Sequence, residues 1–227
     1  MPKTLSPNAG TGILSVWNDI APDVEDFYER WYMSEHFPER LGVPGFLRGR
    51  RYAAVQADRK YFTFYDLDSP QVLFSPAYLA RLEAPTPWTR KVMGHWSGMF
   101  RTVCERVARR GDAVGAFVAV ARWETPLVLP AELAGKLHEK LADPAVVAID
   151  VWQASAQQNV PTAEARQRPA PDRTIAGAVV IEATRVASAE TAAAALPRLI
   201  GALPAPAAVG IYGLIALQDG ADRQERA

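Results

Sequence analysis

The chain has 227 residues, enough for one large domain or two small ones, and either would bury about 70% of its unfolded surface. Hydrophobic residues make up 49% and charged residues 22%, a globular composition rather than a disordered or fibrous one. Twenty-five acidic side chains balance 25 basic ones, which leaves no electrostatic footprint for nucleic acid or an anionic membrane.

Residues 1–11 are polar and rich in Pro, Gly, Asn and Thr, and read as a loose arm. They hold no apolar signal core, and no apolar run in the chain reaches the ~18 residues of a membrane span, so a soluble, cytoplasmic protein is expected. Gly12 to Ile20 reads as a strand carrying Ile13, Leu14, Val16 and Trp17. Asp23 is placed to cap a helix beginning near Val24, with Glu25 and Asp26 in the first turn, where negative charge suits the helix dipole. Val24, Phe27, Tyr28, Trp31 and Glu35 fall at helical spacing and make one face aromatic. Pro38, then Gly42, Pro44 and Gly45, are expected to end this element. Phe46 to Gln56 and Tyr61 to Leu67 form a hairpin joined by Ala57-Asp58-Arg59. A helical region from Pro70 to about Gly94 is broken at Pro76, Pro85 and Pro87, and Ser97 to Arg109 closes the half as a strand. Arg101, Arg106, Arg109 and Arg110 read as a solvated basic face. Cys104, the single cysteine, excludes an internal disulfide framework and reads as a buried structural thiol.

The second half repeats the order. Val114 to Trp123 is a strand, Pro130 to Ala142 a helix, and Ala145 to Gln157 a strand. A long polar connection over 159–173 leads to a strand from Thr174 to Arg185, an Ala-rich helix from Ser188 to Ala202 and a closing strand from Val209 to Gln218. A shift of 100 residues aligns Val43-Pro44-Gly45 with Asp143-Pro144-Ala145, and Tyr52 with Trp152. The fold class expected is α+β: tandem ferredoxin-like βαββαβ repeats over residues 12–110 and 113–219. Strands such as Gly115 to Ala121 are apolar at both parities, which requires burial on both faces. The two antiparallel sheets are therefore expected to pack face to face as an intramolecular α/β barrel, helices outside, with a sheltered hollow between them for a small ligand.

The run Trp31-Tyr32-Met33-Ser34-Glu35-His36-Phe37-Pro38-Glu39-Arg40-Leu41, followed by Val43-Pro44-Gly45-Phe46, Arg50-Arg51-Tyr52 and Tyr61 to Asp66, resembles the EthD-like branch of the dimeric α/β-barrel superfamily. The resemblance covers about residues 12–108, and the second half matches in element order only. It implies ferredoxin-like units paired through their sheets, with His36 at the mouth of the pocket. Superfamily relatives include monooxygenase-like proteins, small polyketide cyclases, muconolactone isomerases and dye-decolorising peroxidases, so it implies a fold more firmly than an activity.

His36 is the first candidate for chemistry, since imidazole trades protons near its ordinary pKa of ~6.5. Glu35 would orient it and Tyr65 or Tyr61 would donate a hydrogen bond to a developing enolate, making His36, Glu35 and Tyr65 the catalytic set. Arg50 and Arg51 alternate on one strand, so one faces the hollow; left without a fixed carboxylate partner, it would clamp an anionic substrate. Trp17, Trp31, Tyr52, Tyr61 and Trp88 supply aromatic walls, and His95 could meet His36 across the cavity mouth. At the shift of 100, Lys136 stands where His36 would be and Gly135 where Glu35 would be, so the second half reads as a structural partner.

No metal-spaced His/Cys/Asp/Glu cluster, dinucleotide fingerprint, P-loop or nucleophile elbow is present, and no cofactor is expected. A haem role would need an axial His in the second half, and His138, among Lys136, Glu139 and Lys140, is not placed for it. The pattern points to a cofactor-independent enzyme acting by acid/base chemistry on a small aromatic or polyketide-like acid or ketone. Isomerisation, cyclisation, decarboxylation and oxygenation all fit; the competing expectation is a non-catalytic small-molecule binding protein of the same fold. The partner expected is a small aromatic or anionic molecule, with neither nucleic acid nor membrane, and the chain is either a monomer by fusion or a homodimer.

Overall fold

A computed structural model of the chain describes residues 10–158 and 162–221. Most of the arm read over residues 1–11, the first positions of the 159–173 connection and the tail beyond 221 lie outside them. The first half runs β1 (Gly12–Ile20), α1 (Glu25–Trp31), a π-helical turn (Tyr32–His36), α2 (Phe37–Leu41), β2 (Phe46–Gln56), β3 (Tyr61–Leu67), α3 (Pro76–Glu83), α4 (Pro87–Met93) and β4 (Trp96–Arg110). The second runs β5 (Phe117–Trp123), α5 (Leu133–Leu141), β6 (Val146–Ala154), β7 (Gly177–Ala183), α6 (Val186–Leu199) and β8 (Ala208–Asp219).

The strands close into one barrel in the order β1-β3-β2-β8-β5-β7-β6-β4. All neighbours are antiparallel. The expected α/β barrel is present, but its two sheets are not separate layers stacked face to face: β2 pairs with β8 and β4 with β6, so the halves join edge to edge and no strand edge is left open. The expected hollow is corrected as well. An eight-stranded barrel is about as wide as its own inward side chains, and here those are large. Trp17, Tyr52, Phe62, Phe64, Phe100, Trp152 and Tyr212 are each at most 1% exposed and form the barrel core with small β-branched residues between them. Helices cover the outside, α1 to α4 over the first half and α5 and α6 over the second, each with its own apolar layer.

Pro38 does not end the first helix. The chain widens into a π-helical turn, in which the Phe37 N–H bonds the Tyr32 carbonyl, and then continues as α2 to Leu41. The wider turn accommodates a residue that has no N–H to give to the α-helical ladder. Asp23 makes no side-chain cap; it lies in a 3-10 turn, Pro22–Val24, that leads into α1. The turn after α2 is the one the Pro44-Gly45 pair predicts. Gly45 has φ 89° and lies so close to Val72 that an added Cβ would come within 2.5 Å of it.

The arginine run on β4 is not a solvated face. Arg101, Arg106 and Arg109 are 9%, 2% and 7% exposed, and only Arg110 is open to solvent. A register shift between Arg106 and Ala108 re-phases the strand, so that Arg106 and Arg109, three residues apart, both reach the barrel interior. There they complete a closed alternating ring of ions. Asp66 takes Arg50 at 2.8 Å and also Arg106; Asp150 takes Arg106 Nε at 2.7 Å and also Arg109; Glu182 takes Arg109 at 3.2 Å and Arg50 at 3.0 Å. Three guanidinia and three carboxylates thus balance, with members drawn from both halves.

Candidate functional site

β-strand alternation sorts the predicted residues onto two sides of the barrel wall. Trp17, Tyr52 and Arg50 point inward, where Trp17 stacks on Phe62 at 4.6 Å and Tyr52 lies between Phe62 and Phe64. Arg50 is therefore no anion clamp, because Asp66 and Glu182 already hold it. His36, Glu35, Trp31, Arg51, Tyr61, Tyr65 and Trp88 come together on the outer side, in the layer between the first half's helices and its strands. His95 is exposed in the turn just before β4, which leaves it no part in this layer.

The π-helical turn presents both Tyr32 and His36 to this layer, and both are buried. The His36 ring lies 4.4 Å from Trp31 and 5.1 Å from Tyr32, with Trp96 at 6.3 Å. Its Nδ1 is buried without a hydrogen-bond partner. Burial pushes the imidazole well below its ordinary pKa, and the Arg40, Arg168, Arg51 and Arg101 guanidinia push the same way. His36 is a neutral imidazole at pH 7.

Glu35 does not orient this ring. Its Oε1 accepts from Trp31 Nε1 at 3.1 Å, Thr86 at 2.6 Å and Thr89 at 2.9 Å, which ties the helix to the start of α4 and fixes the indole under His36. Tyr65 and Tyr32 share a hydroxyl contact at 3.3 Å, and burial pushes the Tyr65 phenol well above its usual pKa, so it keeps its proton. Tyr61 donates to Glu25 at 2.6 Å. Arg51 is held in both directions: Glu29 takes it bidentately at 2.5 and 2.7 Å, and the Tyr28, Tyr32 and Tyr61 rings surround its guanidinium at 5.1, 4.2 and 4.7 Å. Trp88 packs on Phe27 at 5.9 Å at the outer edge of the layer.

Sequence reasoning missed Arg40, Glu164 and Arg168. Arg40 follows His36 by four residues, a spacing that places both on one helix face and was available as a signal. Glu164 and Arg168 belong to the connection between β6 and β7, which folds back across the first half and bonds Leu82 and Met99 backbone carbonyls. Nothing local in that polar stretch announces the contact.

No protein-family model and no curated protein matches this sequence. Solved structures do share its fold. An anthrone oxidase-like protein aligns with a TM-score of 0.61 at 10% identity over 98% of each chain. A protein provisionally named a monooxygenase, from Fusobacterium nucleatum subsp. nucleatum, aligns at 0.55 and 10% identity over 92% of this chain and 95% of its own. A similarly named protein from Lactobacillus acidophilus NCFM aligns at 0.51 and 10% identity over 92% and 96%. The α+β barrel architecture is thus common to these proteins and to this chain over nearly the whole of each.

Proposed function

We propose that the chain is a small-molecule enzyme of the dimeric α/β-barrel superfamily, built as two fused ferredoxin-like units, and that its site is the helix–sheet layer around His36. Assignment to the EthD-like branch rests on sequence resemblance alone, in the Trp31 to Phe46 run, Arg50-Arg51-Tyr52 and Tyr61 to Asp66. The observation that carries the proposal is where unsatisfied polar atoms lie. His36 Nδ1, Arg40 Nη1, Arg51 Nε, Thr63 Oγ1, Trp88 Nε1 and Trp96 Nε1 are buried without a hydrogen-bond partner in the first half's outer layer. The corresponding layer of the second half has none among the described residues, and Arg50 Nε, Tyr52 Oη, Trp152 Nε1 and Tyr212 Oη, which also lack a hydrogen bond, lie in the ring-packed barrel interior. Each such group carries a penalty of about 1–3 kcal/mol, so a layer that gathers them is one suited to a polar ligand or bound water.

The chemistry follows from the residues present. Neutral His36 is a base for an acidic C–H or phenol; the flat Trp and Tyr walls suit an aromatic or polyketide-like acid or ketone; and Tyr65, keeping its proton, donates to the oxygen where charge develops. The neighbours named anthrone oxidase-like and monooxygenase favour a fused-ring ketone as the first substrate to try. The test is anthrone in air-saturated buffer, followed by the absorbance of the quinone product. Loss of His36 as His36→Gln should lower the rate by about 10²–10⁴-fold with the fold intact. An equal rate in that variant would remove the assignment. Non-catalytic binding is the second reading, favoured by the way the layer's own rings fill it; saturable tryptophan quenching by anthrone without turnover would select it.

A further inference from the structure

We infer that Arg40 anchors a carboxylate-binding site, occupied in this structure by the protein's own Glu164, and that the ligand it serves is an aromatic carboxylate. The inference deepens the proposed use of the His36 layer and rests on it for the position of the aromatic body. Arg40 is 2% exposed, and a guanidinium so buried requires an anion. Its own helix offers only Glu39, at 3.6 Å. The close partner comes from the other half: Glu164 bonds Arg40 Nη2 and also stands 3.9 Å from Arg168. One carboxylate thus lies between two arginines.

The segment that delivers this carboxylate is a surface strap. It belongs to no strand of the barrel, contains a single 3-10 turn at Ala165–Gln167 among its described residues, and is held to the first half near Glu164 by the Glu164 N–H to the Leu82 carbonyl at 2.9 Å, the Ala163 N–H to Glu83 at 3.3 Å and Arg168 Nη1 to the Met93 sulfur at 3.8 Å. Beside Glu164 is a cavity of about 20 Å³ lined also by Leu73, Leu82, Arg101, Thr162 and Arg168, room for a water and no more. Withdrawal of Glu164 adds the volume of its side chain to that cavity. It also uncovers Arg40 Nη2 beside Nη1, which makes no hydrogen bond and has only the Glu39 carboxylate at 3.6 Å, and the two together match the fork of an incoming carboxylate. The Tyr78 ring, 5.7 Å from the Arg40 guanidinium, and the aromatic cluster around His36, one helical turn back, then provide the surface for the ligand's ring.

If Glu164 is a resident competitor, weakening it should tighten binding of the true anion. The test measures 2-naphthoate binding, by calorimetry and tryptophan fluorescence, to the wild type, Glu164→Gln and Arg40→Met, with 2-naphthamide as the neutral control. Naphthoate should bind Glu164→Gln about tenfold more tightly or better, because more of the protein is binding-competent. Naphthamide should gain nothing, and Arg40→Met should lose the naphthoate gain when combined with Glu164→Gln. An unchanged or weaker naphthoate affinity in Glu164→Gln, or an equal gain for the amide, overturns the inference, and this arm decides it even if Arg40→Met fails to fold. The outcome is separable from the His36 assignment. Tightened naphthoate binding alongside full turnover in His36→Gln removes the catalytic assignment and keeps the anion site; the converse removes the site and keeps the catalysis.

Discussion

Asp66 is the place to test whether the ring of buried ions holds the halves of the barrel together. Its side chain is 1% exposed and accepts from Arg50 at 2.8 Å and from Arg106. Asp66→Asn leaves three guanidinia facing two carboxylates, and so one uncompensated buried positive charge. Breaking a buried pair by removing one partner costs about 3–5 kcal/mol. Arg50 keeps Glu182 and Arg106 keeps Asp150, which places the expected loss at the lower end, about 3 kcal/mol. In a chain of this size each kcal/mol lowers Tm by about 2–4 °C, so the variant should melt about 6–12 °C below the wild type. Thermal and urea unfolding followed by circular dichroism reads this directly. pH supplies a second readout. Burial pushes the Asp66 carboxyl up, but Arg50 and Arg106 outweigh it and hold the group below its ordinary value. A depressed folded-state pKa means that the stabilisation is present above pH ~4 and lost as pH falls through the lowered value. The Asn variant should therefore show a shallower loss of stability with acid. A Tm within about 2 °C of the wild type would refute the role given to the ring.

Two further outcomes follow from buried groups. His36 is held well below its ordinary pKa in the folded state, chiefly by burial, whereas the unfolded chain binds the proton near pH ~6.5. Stability from this residue is thus complete above that pH and declines as pH falls toward the lowered value, a slope that His36→Gln should remove in urea titrations. Imidazole NMR resonances of His36 that titrate at or above pH ~6.5 would contradict this. Cys104 is fully buried, and burial pushes its thiol up to about 12, so native protein should not react with a disulfide reagent at pH 8 until it unfolds. Rapid native-state labelling would show that the β4 interior is open.

The repeated order of elements was legible in the sequence because its signals are local. The strands carry two-sided apolar runs such as Gly115 to Ala121, the Pro44-Gly45 pair marks a turn that needs positive φ, and prolines at 76 and 87 open helices at their first positions. Alternation on β2 also told that Arg50 and Arg51 face opposite ways, though not which way each faces. The filling of the barrel and the burial of the β4 arginines were not legible. Both depend on how far side chains reach across a closed ring, and on one register shift near Arg106 that moves Arg109 from one face to the other.

What the sequence determined alone is thus the periodic part: the order and approximate place of the strands and helices, that both faces of the strands are buried, and that the first half carries the polar and aromatic set around His36. Only the tertiary structure decided the rest: that the sheets meet edge to edge, that Trp17 and Tyr52 are core while Trp31 and Tyr65 share a layer with His36, and that Arg40 finds its anion 124 residues away in Glu164. The physical reason is range. Hydrophobic period and turn chemistry act over a few residues, whereas a buried charge takes its partner from whatever the closed fold brings within a hydrogen bond's length, and spacing along the chain does not encode that distance.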